Sequence, residues 1–325
     1  MTEGDTRQGL VTRKQLGEYR VQSNGHEFAC SPSNALRKEL IRFESAAESS
    51  RPTARALGVA DISDVDPVAV GDLVSFIEGA DQTGLIRSVL PRRNELTRVA
   101  AGRAPRRQVI VANVDQVVAM VSVSHPAPNW QLLDRLLVTV EAAAITPVVC
   151  FTKLDLIDEF PEAEVYRGIG YTTLETSTVT GHGVDSLSAA MAGNVSVVVG
   201  MSGVGKSSLL NAIAPGLEID VAAVSESSQK GRHTTTHLEM HELPNGGRVV
   251  DTPGIKYFGL WGVSPDDIVA LMPELRELLG RCQFRDCRHL EEPGCAIRHA
   301  LKRGSIAASR YDSYRAIREA VRQEY

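Results

Sequence analysis

The stretch Gly200-Met201-Ser202-Gly203-Val204-Gly205-Lys206-Ser207-Ser208 restricts the folds open to this chain more than any other. It follows the apolar run Val195-Ser196-Val197-Val198-Val199 and precedes Leu209-Leu210-Asn211-Ala212-Ile213, which predicts strand, glycine-rich turn and helix in succession. Gly200, Gly203 and Gly205 let the backbone adopt turn dihedrals and approach an anion closely. Ser202, Val204 and Ser208 complete a loop whose amides, with those of the following helix, point at phosphate. Lys206 is placed to reach the β and γ phosphates, and the Ser207 hydroxyl to ligate Mg²⁺. A glycine-rich structural turn would need neither the lysine nor the serine.

A length of 325 residues suggests two or three domains. No apolar run approaches a membrane span, and the start MTEGDTRQG lacks the apolar core of a secretion signal. The expectation is a cytoplasmic chain with no membrane partner. A net charge of -5 does not advertise a nucleic-acid binder, but its distribution is uneven. Between Leu85 and Val109 stand Arg87, Arg92, Arg93, Arg98, Arg103, Arg106 and Arg107, against the single acid Glu95.

Residues 1–108 read as β-rich, with a hairpin over Gly17–Val21 and His26–Cys30 and strands over Val68–Phe76 and Gly84–Leu90. A small Greek-key barrel of the oligonucleotide-binding (OB) type fits, either RNA-binding or structural; the arginines favour RNA. Residues 36–66 form an Ala- and Ser-rich insertion. From Val109 the character changes. Val109–Ala112, Val117–Val123 and Pro147–Phe151 are apolar runs expected of strands buried on both faces of a parallel sheet. Between the last two, Asn129 introduces a helix with Leu132, Leu133, Leu136, Leu137 and Val140 on one face. The reading is an α/β domain over 109–260.

The 147–151 strand runs into Thr152-Lys153-Leu154-Asp155. Guanine-nucleotide domains carry Asn-Lys-x-Asp at such a place. The carboxylate accepts from guanine N1–H and the exocyclic amine, a donor pair that adenine lacks, and the lysine stem covers the base. Thr152 replaces the asparagine but keeps a hydroxyl to tie this loop to the phosphate loop. Ser177-Thr178 lies in a loop resembling the one that meets guanine O6 through backbone N–H. After the phosphate loop, Gly231-Arg232-His233-Thr234-Thr235-Thr236 reads as a first switch, Thr235 closing on Mg²⁺ and the γ-phosphate. A hairpin over 237–250 then leads to Asp251-Thr252-Pro253-Gly254, where Asp251 would hold Mg²⁺ through water and the Gly254 N–H would meet the γ-phosphate. The base-reading segments precede the phosphate loop, so the order of a common GTPase is permuted.

Residues 261–325 hold Cys282, Cys287, His289 and Cys295, three thiolates and an imidazole, the ligand set of a closed structural Zn²⁺ site. The basic tail beyond is either a solvated helix or a contact to RNA phosphate.

The permuted order, the preceding β-barrel, Gly-Arg-His-Thr-Thr-Thr, Asp-Thr-Pro-Gly and Cys282–Cys295 together closely resemble the RsgA family of small-ribosomal-subunit-dependent GTPases. The resemblance implies a circularly permuted P-loop GTPase domain between an N-terminal OB-like barrel and a C-terminal α-helical zinc-binding domain. It implies a GTP hydrolase binding GTP/GDP, Mg²⁺ and one structural Zn²⁺. It would act late in maturation of the small ribosomal subunit as a monomer, on the subunit's rRNA and stimulated by the subunit. Alternatives are a permuted GTPase of another ribosome-assembly step and an RNA-binding switch protein. The family analogy makes His233 the candidate for positioning the attacking water, with Lys206 at the phosphates. The chain departs from the family at Thr152, where it has Asn, at Thr178, where it usually has Ala, and in the 36–66 insertion.

Overall fold

The computed structural model describes residues 6–15, 17–36, 66–100, 106–217, 238–252, 260 and 262–324. These divide into two units. One holds the described residues up to Val114 with 238–242, 248–252 and 260; the other holds 115–217, 243–247 and 262–324.

The first unit is built on β1 (Thr6–Gln15), β2 (Glu18–Ser23), β3 (His26–Pro32), β4 (Leu73–Glu78) and β5 (Thr83–Val89). Each strand pairs with the next in the cycle β1-β2-β3-β5-β4, and β4 returns to β1, so the sheet closes with no free edge. Alternation puts Val11, Val21, Phe28, Cys30, Val74, Phe76 and Ile86 inside. Phe28 and Phe76 stack with ring centroids 5.2 Å apart. The insertion expected over 36–66 lies, beyond its two end residues, outside the described residues. Strand β1 escapes an apolar pattern because polar residues line its outer face.

The first unit continues into β6 (Glu95–Ala100) and β7 (Arg106–Ala112), an antiparallel hairpin. This corrects the expectation that Val109–Ala112 starts the parallel sheet; the run is apolar because β7 is buried beside the barrel, Val70 bridging to Val111. The arginine run is also partly structural. Arg92 grips the fully buried Asp72 with Nε at 2.7 Å and Nη2 at 2.8 Å, and reaches Glu95 at 2.9 Å. Arg107 also pairs with Glu95, Arg98 donates to Gln108, and Arg93 donates to the Asn113 carbonyl. Arg87 stays exposed on β5.

In the second unit β8 (Gln116–Ser122), β9 (Thr146–Thr152), β10 (Thr172–Thr176) and β11 (Val195–Gly200) form a parallel sheet in the order β10-β9-β8-β11. Helix α1 (Trp130–Ala142) begins where Asn129 Oδ1 accepts the Leu132 N–H at 3.0 Å, and buries Leu133, Leu137 and Val140. Full burial of each such side chain stabilises by about 1.5–3 kcal/mol. Helices α2 (Glu162–Gly168), α3 (Val184–Met191) and α4 (Lys206–Ile213) follow. Strands β12 (Leu238–Glu242) and β13 (Arg248–Asp251) make the expected hairpin within the first unit, where β12 also pairs with β1.

Returning to the second unit, α5 (Pro273–Arg276) and α6 (Ala296–Lys302) precede α7 (Ala308–Glu324). The tail helix is not wholly solvated: one face is buried, while Arg315 and Arg322 stay exposed on the other. Arg310, Tyr314, Ile317 and Val321, at helical spacing, are all buried. Arg310 donates to Asp134 of α1 through Nη1, and to Glu274 of α5 through Nε at 2.7 Å and Nη2 at 3.2 Å. Tyr166 of α2 donates to the same Asp134 oxygen at 2.9 Å. Burial pushes the Asp134 carboxyl up and Arg310 pulls it back, with burial the larger effect. Replacing Arg310 by Met keeps the volume and strands two carboxylates. Arg310→Met should cost the second unit about 3–5 kcal/mol, read as a lower urea midpoint; an unchanged midpoint would contradict this assignment.

Candidate functional site

The carboxyl ends of β8, β9, β10 and β11 gather the site, as expected for an open parallel sheet. Strand β11 ends at Gly200, where a Cβ would lie 2.5 Å from the Met120 carbonyl oxygen, so only glycine lets the loop leave against β8. Gly203 and Gly205 have φ of +81° and +99°, and Gly205 precedes α4 without a side-chain cap. The first turn of α4, with Ser207 and Ser208 half-buried on it, thus presents the positive end of the helix without a side-chain cap, the kind of end that suits an anion. Ser202 is exposed on the loop and Val204 is buried beneath it. The Lys206 ammonium folds over the loop, donating to the Gly200 and Met201 carbonyls at 2.8 and 3.0 Å. The Lys206 cation is thereby held over the glycine-rich loop at the start of α4.

The base-reading segment is bolted to this loop. Thr152 Oγ1 donates to the Val204 carbonyl at 2.6 Å, and Lys153 Nζ to the Gly203 carbonyl at 2.7 Å and to the His125 carbonyl. Threonine thus performs the tethering expected of it. Asp155 is exposed, and one of its oxygens accepts from Ser177 Oγ at 2.5 Å, which fixes the carboxylate's direction while leaving the other oxygen to a ligand. Ser177 is itself set by its loop: its N–H donates to the His182 carbonyl, and its Oγ accepts from the N–H groups of Val179 and Thr180. Thr178 is exposed in that turn. The turn closes at Gly183, φ +68°, where a Cβ would stand 1.9 Å from the Glu175 carbonyl oxygen. Thr152, Lys153, Asp155, Ser177 and the phosphate loop are thereby brought into one hydrogen-bonded assembly. The carbonyls of His125 and His182 belong to it as well, without a sequence signal, because backbone acceptors leave no trace in residue type.

Asp251 ends β13, opposite Glu239. His233, Thr235 and Gly254 lie outside the described residues.

The metal cluster is separate. The ligand atoms of Cys282, Cys287, His289 and Cys295 lie within 4.8 Å of one another, His289 Nδ1 being 3.4 Å from Cys282 Sγ and 3.5 Å from Cys295 Sγ. Burial and the neighbouring thiols push the Cys287 thiol up to about 12, a crowding that a divalent cation reverses by stabilising thiolates. The donor set fits tetrahedral zinc. His289 takes a φ of +63°, held there by Glu292, whose carboxylate accepts the N–H groups of Arg288, Leu290 and Glu291. Partial burial raises the Glu292 carboxyl, but those backbone donors outweigh it and hold it at about 2. The other two cysteines, Cys30 and Cys150, are buried in the two cores, which pushes each thiol up to about 12.

The family model described as RsgA GTPase matches residues 89–261. The chain belongs to the RsgA GTPase family. It is 39% identical over 273 residues to the small ribosomal subunit biogenesis GTPase RsgA of Flavobacterium johnsoniae, covering 81% of this chain and 84% of the relative. The solved structure of YjeQ from Thermotoga maritima, 30% identical, superposes with a TM-score of 0.72 over 98% of this chain and 99% of that one. YloQ, described as a circularly permuted GTPase, gives 28% identity and 0.68 over 100% and 98%. As an RsgA GTPase the chain is an enzyme that takes guanine nucleotide.

Within the RsgA frame, the Thr152 hydroxyl is the sharpest target. Thr152→Val leaves the Val204 carbonyl without its donor, costing about 1–3 kcal/mol. A fluorescent GDP analogue should then bind roughly tenfold more weakly. Unchanged affinity would show that the tether does not shape the pocket.

Proposed function

We propose that this chain hydrolyses GTP as a late assembly factor of the small ribosomal subunit, binding the subunit's rRNA and stimulated by it. The observation that carries the reading is the single hydrogen-bonded assembly of Asp155, Thr152 and Lys153 with the phosphate loop. The printed names of the relatives, small ribosomal subunit biogenesis GTPases, supply the biological setting. The closed five-stranded barrel supports an RNA contact. The factor is proposed to be cytoplasmic and monomeric; no described helix is long and apolar enough to cross a membrane.

In this reading Asp155 accepts the guanine N1–H and amine, Lys153 covers the base, and Ser177 and Thr178 border O6. Lys206 and the amides from Gly200 to Ser208 neutralise the charge developing on the transferring phosphoryl group. Ser207 and Thr235 would hold Mg²⁺, with Asp251 holding it through water, and the Gly254 N–H would meet the γ-phosphate. When bound, Mg²⁺ would supply charge neutralisation at the phosphates. The residue after Gly254 is Ile255, which has no hydrogen-bonding side chain where Ras-like enzymes carry a water-orienting glutamine. Intrinsic hydrolysis is therefore slow, and His233 positions the water once a partner orders the first switch. One Zn²⁺ on Cys282, Cys287, His289 and Cys295 folds the C-terminal segment and does no chemistry.

Phosphate release from GTP and from ATP, measured with and without purified small subunits, tests the proposal. GTP turnover should rise at least tenfold with subunits while ATP turnover stays flat, and Lys206→Ala should lose about 100- to 1,000-fold. His233→Ala should keep nucleotide affinity and lose the stimulation. Equal turnover with and without subunits would reject the ribosomal reading, and intact stimulation in His233→Ala would reject its role.

A further inference from the structure

We propose that the base side of the nucleotide pocket is positioned by the zinc loop, through the C-terminal helix, with Tyr311, Tyr314 and Arg310 as the positioning residues. The proposal rests on the zinc and guanine-nucleotide readings above. Each link is a contact within the second unit.

The first link is between zinc loop and helix α7. The Tyr311 hydroxyl donates to the His289 carbonyl at 2.7 Å, and the Tyr314 hydroxyl donates to the Arg288 carbonyl at 2.8 Å. Both tyrosines are buried, with rings 6.1 Å apart, so the helix reads the position of the ligand-bearing turn directly. The second link is Arg310, next to Tyr311 on the same helix. Its guanidinium enters the core between Asp134 and Glu274, and lies 5.7 and 6.0 Å from the ring centres of Tyr166 and Tyr171. Asp134 Oδ2, Tyr171 OH and Ser313 Oγ are buried in the same cluster, Ser313 beside Asp134 and Tyr171 beside Arg310. Buried polar groups that depend on one another in this way lose their partners if α7 shifts, and burial makes that loss costly.

The third link runs from Asp134 to the base. Asp134 sits one turn into α1, and Trp130 at the start of that helix packs on Phe160 and Tyr166, with ring centres 6.0 and 6.1 Å away. Phe160 meets Phe151 at 4.9 Å, and Phe151 immediately precedes Thr152 and Lys153. From the other side, the His125 carbonyl in the connection to α1 accepts the Lys153 ammonium. A loop freed of its metal would release the tyrosines, let α7 move Arg310, and loosen the residues that cover and read guanine. Packed side chains and ion pairs in contiguous contact are the medium through which such coupling travels.

The test uses the full chain, loaded with zinc and then stripped by a chelator, and follows affinity for a fluorescent GDP analogue. Stripping should weaken GDP about tenfold, and reciprocity requires that bound GDP raise zinc affinity by the same factor. The double variant Tyr311→Phe, Tyr314→Phe removes only two hydroxyls. Loaded with zinc, it should bind GDP about as weakly as the stripped parent, and stripping it should add little. Hydrogen exchange gives an independent readout: stripping should speed exchange in residues 130–142 and leave the barrel strands of the first unit unchanged. Equal GDP affinity with and without zinc would overturn the proposal, as would a tyrosine variant that keeps the full zinc effect. If that variant does not retain zinc, Arg310→Met decides by the same two comparisons. A purified chain without zinc, or a zinc-loaded chain that does not bind GDP, would overturn the proposal together with the metal or nucleotide reading respectively; these are read first.

Discussion

Two hydrogen bonds to backbone carbonyls hold the proposed nucleotide site together: Thr152 to Val204 and Lys153 to Gly203. A glycine-rich loop that turns its amides towards a ligand must turn carbonyls the other way, and a buried carbonyl without a donor is costly. Here the base-reading segment supplies the donors. Satisfying the back of the phosphate loop and placing Asp155 are therefore the same act, which is why the site survives a rearranged chain order. What the fold must conserve is adjacency at the ends of β8, β9, β10 and β11, and parallel pairing gives that whichever loop comes first along the chain.

A second theme is the use of arginine as an internal part. Arg92 and Arg310 stand in stretches whose composition suggests basic surfaces, yet each is a clasp with two carboxylates apiece. Removing a guanidinium from water is repaid only by close pairing, so such residues fix geometry more than they add stability. Arg92 sets the β6–β7 hairpin on the barrel strands, and Arg310 sets α7 on α1 and α5.

Much of this was legible in the sequence, for physical reasons that differ from one element to another. The phosphate loop, the asparagine-capped α1 and the cysteine–histidine cluster were readable because each chemistry demands particular residue types at fixed spacing. The β2–β3 hairpin was readable from two short strand-like runs, Gly17–Val21 and His26–Cys30, set close together in the sequence. Strand β1 was not, since a polar outer face dilutes its alternation. The Val109–Ala112 run was read as a parallel strand because burial on both faces looks the same whichever way the partner runs; its antiparallel pairing with β6 is set by the short link between them. The burial of Arg310 within the basic tail was not legible, because charge counts do not reveal which face of a helix is covered. Glu292, Tyr311 and Tyr314 act through backbone groups around His289, so no pattern of side chains announced them.

The central claim is that Asp155 reads the base of the same nucleotide whose phosphates lie at Lys206. Asp155→Asn turns the acceptor into a group that can also donate, and xanthine carries a carbonyl where guanine carries its amine. Competition binding of GTP against XTP to the parent and to Asp155→Asn measures this directly. The account predicts that the variant loses GTP affinity by at least about 100-fold and comes to prefer XTP. Unchanged GTP affinity in the variant, with XTP still excluded, would contradict it.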